Sequence, residues 1–257
     1  MRRAVMPERG IPKSLAASGV VVNNRTLLRS YPLAIAPIAE LARNCAAEPP
    51  DTTLFAQIAE QLEQRGYAIC PAALPEPVTD SLLAALASQA DAFVPAAIGR
   101  GGEAGHNRFV RRDKIVWLDE QQPHAQAWRQ WSEALRLYLN KRLFLGLFSF
   151  ESHLAHYGPG DFYKRHRDAF RGESNRLLSV VGYLNRGWQP DHGGELVIYR
   201  DEQLPPLVSV TPSFASVVVF LSEAFPHEVL PAQRDRYSVA GWYRLNSSIN
   251  GQIDPPR

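Results

Sequence analysis

The sequence contains little cysteine, and this scarcity excludes two kinds of protein. Cys45 and Cys70 are the only cysteines in 257 residues, and neither belongs to a CxxC motif or to a Cys/His cluster. A framework of several disulfides and a cysteine-based zinc site are therefore excluded. We expect two reduced thiols, with a single Cys45–Cys70 disulfide as the alternative.

Signals for secretion and for membrane insertion are also missing. The N-terminus, MRRAVMPERGIPKSLAASG, begins with basic residues but lacks the apolar core of a signal peptide. No apolar run approaches the ~18 residues that a membrane-spanning helix needs. We therefore expect a cytoplasmic protein that does not bind a membrane.

A strong charge of one sign is absent as well. The chain has 28 basic and 26 acidic residues, for a net charge of +2, and the two signs are interspersed. This balance gives no electrostatic reason to expect a nucleic-acid partner. The hydrophobic fraction of 45% is ordinary for a globular protein, and the length suits one large domain with or without an extension.

Helical periodicity dominates the first half of the chain. Residues 1–50 lack periodicity and end in two prolines, so we treat them as an N-terminal extension of uncertain order. A first helix follows, ended by Gly66, and YAIC is then a short strand. A second helix is predicted after Pro77, and a third over about residues 125–142. The predicted inward faces comprise Leu54, Phe55, Ile58, Ala59 and Leu62; Leu82, Leu83, Leu86 and Phe93; and Trp128, Trp131, Leu135 and Leu139.

Residues 94–114 are predicted to form a long mobile loop, because they are rich in glycine and arginine and lack periodicity. The stretch GRGGEAG within it resembles a nucleotide-binding motif only superficially, since no strand leads into it and no helix clearly leaves it. A short strand, IVWL, follows.

After about residue 147 the sequence changes to short β-rich runs separated by turn residues: FESHLAHY, RLLSVVGYLN, GELVIYR, SVVVFLS and YSVAGWYR. Strands so closely spaced, without helices between them, favour a sandwich or barrel. We therefore predict an α+β fold with a mainly β core. We predict one domain at residues 51–250, in which residues 51–145 form the helices that support the core and residues 146–245 form the β core.

One histidine is followed by an aspartate at a spacing that suits a metal site. His166 and Asp168 stand in HRD, and His227 follows the strand SVVVFLS. Two histidines and one carboxylate form the facial triad of non-haem iron oxygenases, which leaves positions for a 2-oxo acid and oxygen. From the residues alone, the HxD pair also fits a surface ion pair, and His227 also fits a histidine that caps a turn.

A strand near the C-terminus carries an arginine on an otherwise apolar face. Alternate residues of a strand share one face, which here comprises Arg236, Ser238, Ala240 and Trp242. A buried arginine on such a face is costly without an anion, and the distal carboxylate of a 2-oxo acid would supply one. The alternative is a surface ion pair between Arg236 and Asp235 or Glu228.

These residues resemble one known family. The 2-oxoglutarate/Fe(II)-dependent dioxygenases share the pattern His166-x-Asp168, His227 and Arg236-x-Ser238. The sequence around these residues is similar to that of the prolyl 4-hydroxylases, especially the oxygen-sensing enzymes and their bacterial relatives. The similar segments are RRDKIVWL, YGPGDFYKRHRD, VVGYLNRGW, GGELVIY, PHEVLP and RYSVAGWY. They cover roughly residues 55–245. The resemblance implies a double-stranded β-helix, or jelly roll, with N-terminal helices packed against it.

The resemblance also implies a role for each residue of the site. His166, Asp168 and His227 would bind Fe(II), with 2-oxoglutarate and O2 as co-substrates and ascorbate as reductant. The implied co-substrate residues are Arg236 and Tyr183 at the distal carboxylate, with Tyr157 and Ser238 in the same pocket. The implied substrate residues are Arg176, Asp113, Trp242 and Tyr163, with Asp113 on the mobile loop that folds over bound peptide.

Two positions depart from the family pattern. Arg112 replaces a glycine in the family's RGDKI, and Ala240 stands where some relatives place threonine. The first change could stiffen the loop hinge, and the second removes a polar contact to 2-oxoglutarate. Neither touches the three expected metal ligands.

We expect an enzyme that hydroxylates a prolyl residue presented in a loop of a protein substrate. Among the bacterial relatives, the implied substrate is translation elongation factor Tu. The alternatives are the same chemistry on a small molecule such as a free amino acid, and a non-catalytic sensor of iron and 2-oxoglutarate. The sequence gives no oligomeric state.

Overall fold

The computed structural model describes residues 52–97, 107–119, 122–169, 175–202, 205–246, 248–249 and 252–253. The predicted extension at residues 1–50 and the GRGGEAG stretch lie outside these ranges. No helix among the described residues is long and apolar enough to span a bilayer. Cys70 is a buried free thiol, and Cys45 lies outside the described residues.

The described residues include three α-helices and thirteen strands. The helices are α1 (Thr52–Arg65), α2 (Glu76–Ser88) and α3 (Gln126–Leu143). The strands are β1 (Tyr67–Cys70), β2 (Val94–Pro95), β3 (Lys114–Trp117), β4 (Leu147–Tyr157), β5 (Tyr163–His166), β6 (Arg176–Tyr183), β7 (Leu196–Tyr199), β8 (Pro206–Val210), β9 (Val217–Leu221), β10 (His227–Val229), β11 (Arg236–Leu245), β12 (Ser248–Ile249) and β13 (Gln252–Ile253).

Two antiparallel sheets form the core. The larger sheet has the order β1-β9-β6-β11-β4-β3-β2, and the smaller has the order β5-β10-β7-β8. Apolar side chains from both sheets meet in one cluster that includes Phe220, Val218 and Ile198. The arrangement is the double-stranded β-helix, so the predicted fold class is confirmed.

The two faces of the larger sheet have different partners because side chains alternate along each strand. On β4, Leu154 joins the cluster that packs against the helices, whereas the next residue, Ala155, joins the cluster between the sheets. On β9, Val219 and Val218 divide in the same way. The helices therefore close one face of the larger sheet, and the interior of the barrel lies on the other face.

The helical predictions hold for α1 and α3 and fail at the end of α2. All four predicted inward residues of α3, from Trp128 to Leu139, are buried. Gly66, at φ +81°, follows α1 as expected. Phe93, however, lies beyond α2, because the chain must leave the helix before Val94 pairs with Ile115 of β3.

Several strands were not predicted. β2 extends the larger sheet beside β3, whereas β1 and β3 coincide with the predicted strands YAIC and IVWL. β5 and β10 were missed because they have four and three residues and no apolar alternation. The loop expected at 94–114 is shorter than predicted, since β2 occupies its start and Lys114 already belongs to β3.

Packing of α3 against the larger sheet can be tested with the same substitution at two positions. Leu135 is 0% exposed and Leu137 is 54% exposed. Leu135→Ala should lower the free energy of unfolding by about 2–5 kcal/mol because it leaves a cavity, whereas Leu137→Ala should change it by less than about 0.5 kcal/mol. Urea denaturation of both variants measures the difference. Equal losses would contradict this packing.

Candidate metal centre

Three predicted metal ligands converge in the barrel interior. His166 ends β5 and His227 begins β10, and the two residues are direct partners in the antiparallel pairing of these strands. Asp168 follows two residues after His166. One potential ligand atom from each side chain lies within 4.8 Å of those of the other two. The short strands that the sequence did not reveal are therefore the elements that bring the histidines together.

The hydrogen bonds of the two histidines fix which ring nitrogen is available. Nδ1 of His166 lies 2.8 Å from the Lys164 carbonyl oxygen, and Nδ1 of His227 lies 3.2 Å from that of Phe225. Since a carbonyl oxygen only accepts, Nδ1 carries the proton in each ring and Nε2 keeps a lone pair. Both Nε2 atoms face Asp168, at 3.5 Å for His166 and 3.6 Å for His227.

Burial and neighbouring charge keep these groups in the forms that bind cations. Burial lowers the pKa of His227 to about 4, so the ring is neutral at physiological pH. Burial alone would raise the pKa of Asp168, but the nearby His227 and His166 and a hydrogen bond from Ser179 outweigh it and hold that pKa well below its usual value. A carboxylate thus faces two nitrogen lone pairs, an arrangement that a cation between them would stabilise.

The donor set fits a ferrous ion. Two imidazoles and one carboxylate on one side of a cation are the facial arrangement of non-haem Fe(II) sites, and three coordination positions stay open. Backbone carbonyls orient both imidazoles through Nδ1, as is usual for metal-binding histidines. His166, Asp168 and His227 are therefore the described residues that could hold Fe(II).

A buried arginine lies on the inner face of β11. Arg236 is 1% exposed. Its Nε donates to the Gly194 carbonyl oxygen at 2.8 Å, and its Nη1 donates to Ser238 Oγ at 3.2 Å. Within the part of the chain that the structure describes, no carboxylate lies within ion-pair distance of this guanidinium. A buried cation of this kind is costly without an anion, so the surroundings of Arg236 fit a carboxylate ligand.

Two tyrosines complete this anion-binding cluster. The guanidinium of Arg236 lies 4.9 Å from the ring centroid of Tyr157 and 5.2 Å from that of Tyr183. The buried hydroxyl of Tyr183 meets no group with hydrogen-bond geometry among the described residues. Burial raises the pKa of Tyr183 to about 12, so the hydroxyl keeps its proton and can donate it. The four predicted co-substrate residues, Arg236, Ser238, Tyr157 and Tyr183, therefore lie together.

Arg176 and Trp242 also lie together, at a different point on the inner face. The Arg176 guanidinium lies 3.8 Å above the Trp242 ring and donates from Nε and Nη2 to Glu151 Oε1, at 2.9 and 2.7 Å. Trp242 pairs with Ser179 across the sheet. Arg176 is thus the first residue of β6, and Trp242 and Glu151 hold its guanidinium in place. It is not a solvated loop residue.

Asp113 differs from its expected setting. The sequence placed it on a mobile loop over the substrate, but its side chain is buried and accepts from Arg111 Nε and Nη2 at 2.7 and 2.5 Å. Arg111 in turn lies 4.3 Å from the ring centroid of Tyr163, and that ring stacks on His166 at 3.6 Å. Asp113 therefore connects to the metal centre through Arg111 and Tyr163.

Several residues of the site were not predicted. Arg111 stands two residues before Asp113, and the two-residue period of an extended chain could have paired them. Glu151 and Ser179 lie on strands that were predicted, but their partners are distant in sequence, so no local signal identified them. Arg112, which replaces a glycine, lies with its guanidinium 4.9 Å from the Phe162 ring.

Comparison with known proteins agrees with this geometry. Residues 152–244 match the family model of the 2OG-Fe(II) oxygenase superfamily. A prolyl-4-hydroxylase from Pseudomonas putida is 37% identical, with a TM-score of 0.66, over 75% of this chain and 100% of that one. The chain belongs to the prolyl hydroxylase family of 2-oxoglutarate/Fe(II)-dependent oxygenases.

Other members of the prolyl hydroxylase family are similar over part of their length. Human prolyl hydroxylase EGLN3 is 31% identical over 152 residues, which are 56% of this chain and 63% of that protein. The match to human Egl nine homolog 1 covers 34% of that protein. A Trichoplax adhaerens prolyl hydroxylase, solved with a hypoxia inducible factor peptide fragment, is 27% identical with a TM-score of 0.65 over 75% of this chain.

The chemistry of the family suits the residue types of the two clusters. The family uses Fe(II), 2-oxoglutarate and O2. The three potential metal ligands suit Fe(II), and the cluster around Arg236 suits a dicarboxylate such as 2-oxoglutarate. Both clusters lie on the interior of the same barrel.

Metal binding by the triad can be tested by removing one imidazole. His227→Ala should weaken Mn(II) or Fe(II) binding by more than about 100-fold, which exceeds the usual effect of residues that only orient a ligand. Anaerobic calorimetric titration measures the affinity. The matched control is His124→Ala, which removes an exposed histidine outside the cluster and should leave the affinity unchanged. Equal affinities for all three proteins would contradict the assignment.

Proposed function

We propose that this protein is a 2-oxoglutarate- and Fe(II)-dependent dioxygenase that hydroxylates a prolyl residue in a protein substrate. The observation that carries the proposal is the pairing of two features in one barrel. One is the His166, Asp168 and His227 cluster, and the other is Arg236, which is buried with no carboxylate within ion-pair distance among the described residues. The overall reaction converts the substrate C–H, O2 and 2-oxoglutarate to hydroxylated substrate, succinate and CO2.

Each residue of the metal cluster has a distinct task in this proposal. His166 and His227 would bind Fe(II) through Nε2, and Asp168 would bind it as a carboxylate. When bound, the iron and 2-oxoglutarate supply the oxidative decarboxylation that activates oxygen, chemistry that no side chain can perform. The protein fixes the ligands, leaves positions open and keeps water away from the centre.

Arg236 would bind the distal carboxylate of 2-oxoglutarate through charge-assisted hydrogen bonds. Tyr183 would donate its hydroxyl proton to the same carboxylate, and its raised pKa keeps that proton in place. Ser238 accepts from Arg236 and so orients the guanidinium. Tyr157 would close the pocket with the face of its ring.

The residues near the mouth favour a peptide over a free amino acid. Trp117 is 47% exposed and its ring lies 6.3 Å from that of the buried Trp242. An exposed aromatic side chain that continues from a buried site offers contact area beyond what one amino acid can cover. Arg176 on Trp242, together with Tyr163, would contact the peptide around the target residue, and the buried Asp113 would hold Arg111 beside Tyr163.

The similarity to the P. putida prolyl-4-hydroxylase over all of that chain supports proline as the target. We propose elongation factor Tu as the first substrate to test, because the resemblance to the bacterial enzymes implies it. We also propose that ascorbate maintains the ferrous state and that the enzyme acts in the cytoplasm.

The proposal predicts a new hydroxyproline in a specific protein. Lysate of host cells that lack this gene is incubated with the enzyme, Fe(II), ascorbate and 2-oxoglutarate, and its peptides are analysed by mass spectrometry. We expect one added oxygen on a defined proline, because the active enzyme supplies the missing modification. The control is the His166→Ala variant, which should add none.

Other outcomes would redirect the proposal in specific ways. Turnover of 2-oxoglutarate without new protein hydroxylation would favour a small-molecule substrate, and competition with free proline would then identify that class. Tight 2-oxoglutarate binding without any succinate would favour a non-catalytic sensor.

A further inference from the structure

We propose that Ser179 and Ser222 form a positioning pair that selects one oxygen of Asp168 for the metal and keeps this carboxylate monodentate. The inference rests on the proposed metal site and concerns two residues that are not ligands themselves. It assigns them the task of keeping a coordination position open.

The two serines form a buried hydrogen-bonded chain to the carboxylate. Ser179 Oγ lies 2.6 Å from Asp168 Oδ2, and it lies 2.9 Å from Ser222 Oγ. Ser179 is 1% exposed and Ser222 is 0% exposed. Both distances lie within the range of O–H···O hydrogen bonds.

The direction of this chain follows from the number of protons available. A carboxylate only accepts, so Ser179 donates its single hydroxyl proton to Asp168. Ser179 then has no proton left for its neighbour, and Ser222 must donate to Ser179. Each bond polarises the next, which strengthens the bond at the ionised end.

Without this chain the two carboxylate oxygens would be nearly equivalent. Oδ1 lies 3.5 Å from Nε2 of His166, and Oδ2 lies 3.6 Å from Nε2 of His227. A cation among the three side chains could therefore bind either oxygen or both. The Ser179 hydroxyl takes one lone pair of Oδ2 and draws electron density from it, so Oδ1 is the better ligand atom and the second coordination position stays available for a co-substrate.

The anchoring of the serines suits a positioning role. Ser179 lies within β6 of the larger sheet, and the backbone amide of Ser222 donates to the Leu177 carbonyl oxygen of the same strand at 3.0 Å. Asp168 follows β5, which belongs to the smaller sheet. These hydrogen bonds thus connect Asp168, which lies beyond the end of a short strand, to the larger sheet.

The test compares Mn(II) binding in four variants. Ser179→Ala should weaken binding by about 10–100-fold, as expected for a residue that orients a metal ligand. Ser222→Ala should have a smaller effect, and the Ser179→Ala/Ser222→Ala double variant should bind no more weakly than Ser179→Ala, because Ser222 acts only through Ser179. Ser179→Thr keeps the hydroxyl and should restore binding. Anaerobic calorimetry on the full chain gives the affinities.

A second readout separates positioning from a general loss of structure. The crystal structure of Mn(II)-loaded Ser179→Ala should have both Asp168 oxygens at coordination distance, whereas the unaltered protein should have Oδ1 alone. Ser132→Ala is the matched control, since Ser132 is a buried serine on α3 outside the site, and it should bind Mn(II) normally.

Two results would contradict different parts of this proposal. Normal affinity and a single coordinating oxygen in Ser179→Ala would overturn this inference and leave the proposed function intact. Failure of the unaltered protein to bind Mn(II) or Fe(II) at the triad would overturn both.

Discussion

The burial of Arg236 is the constraint around which the interior of this barrel is organised. A guanidinium in a low-dielectric interior costs several kcal/mol unless hydrogen bonds and an anion compensate it. The Gly194 carbonyl, the Ser238 hydroxyl and the faces of two tyrosines supply part of that compensation. An anion must supply the rest, and a dicarboxylate that also reaches the metal centre satisfies both clusters with one molecule.

The backbone around Arg236 is shaped by the same need. Gly194 has φ +70°, and a Cβ at this position would lie 3.0 Å from Cδ of Arg236. Glycine therefore lets the loop after β6 approach closely enough for its carbonyl to accept from Nε. Backbone geometry also shapes the metal centre, because the antiparallel pairing of the short strands β5 and β10 places two imidazoles side by side. The two clusters depend on backbone geometry as much as on side-chain chemistry.

Sequence reasoning predicted the parts of the structure that local periodicity determines. The faces of α1 and α3 follow from a 3.6-residue period, and the residues of β4, β6, β9 and β11 from short β-rich runs. The end of α2 and the strands β5 and β10 depend on pairing with distant residues, so no local pattern could locate them. The residue types and spacing of the metal cluster suggested a metal site but left a surface ion pair open, because His166 and His227 meet through those unpredicted strands.

Ion-pair partners were the least predictable feature of the site. Asp235 and Glu228 are close to Arg236 in sequence, and either could have neutralised it. The fold directs Asp235 to His156, at 2.7 Å, and Glu228 to Tyr199 and Arg165. Asp113 is bound instead by Arg111, and Arg176 by Glu151. Only the three-dimensional arrangement shows which charges are satisfied by the protein and which are available to a ligand.

The central claim is that Arg236 recognises the distal carboxylate of 2-oxoglutarate, and ligand discrimination tests it most directly. Calorimetry on the Mn(II)-loaded protein would compare 2-oxoglutarate with 2-oxopentanoate, which has a methyl group in place of that carboxylate. We expect the unaltered protein to prefer 2-oxoglutarate by about 100-fold, because of hydrogen bonds to a charged group, and we expect Arg236→Met to lose nearly all of this preference. An equal preference in both proteins, or none in the unaltered protein, would contradict it.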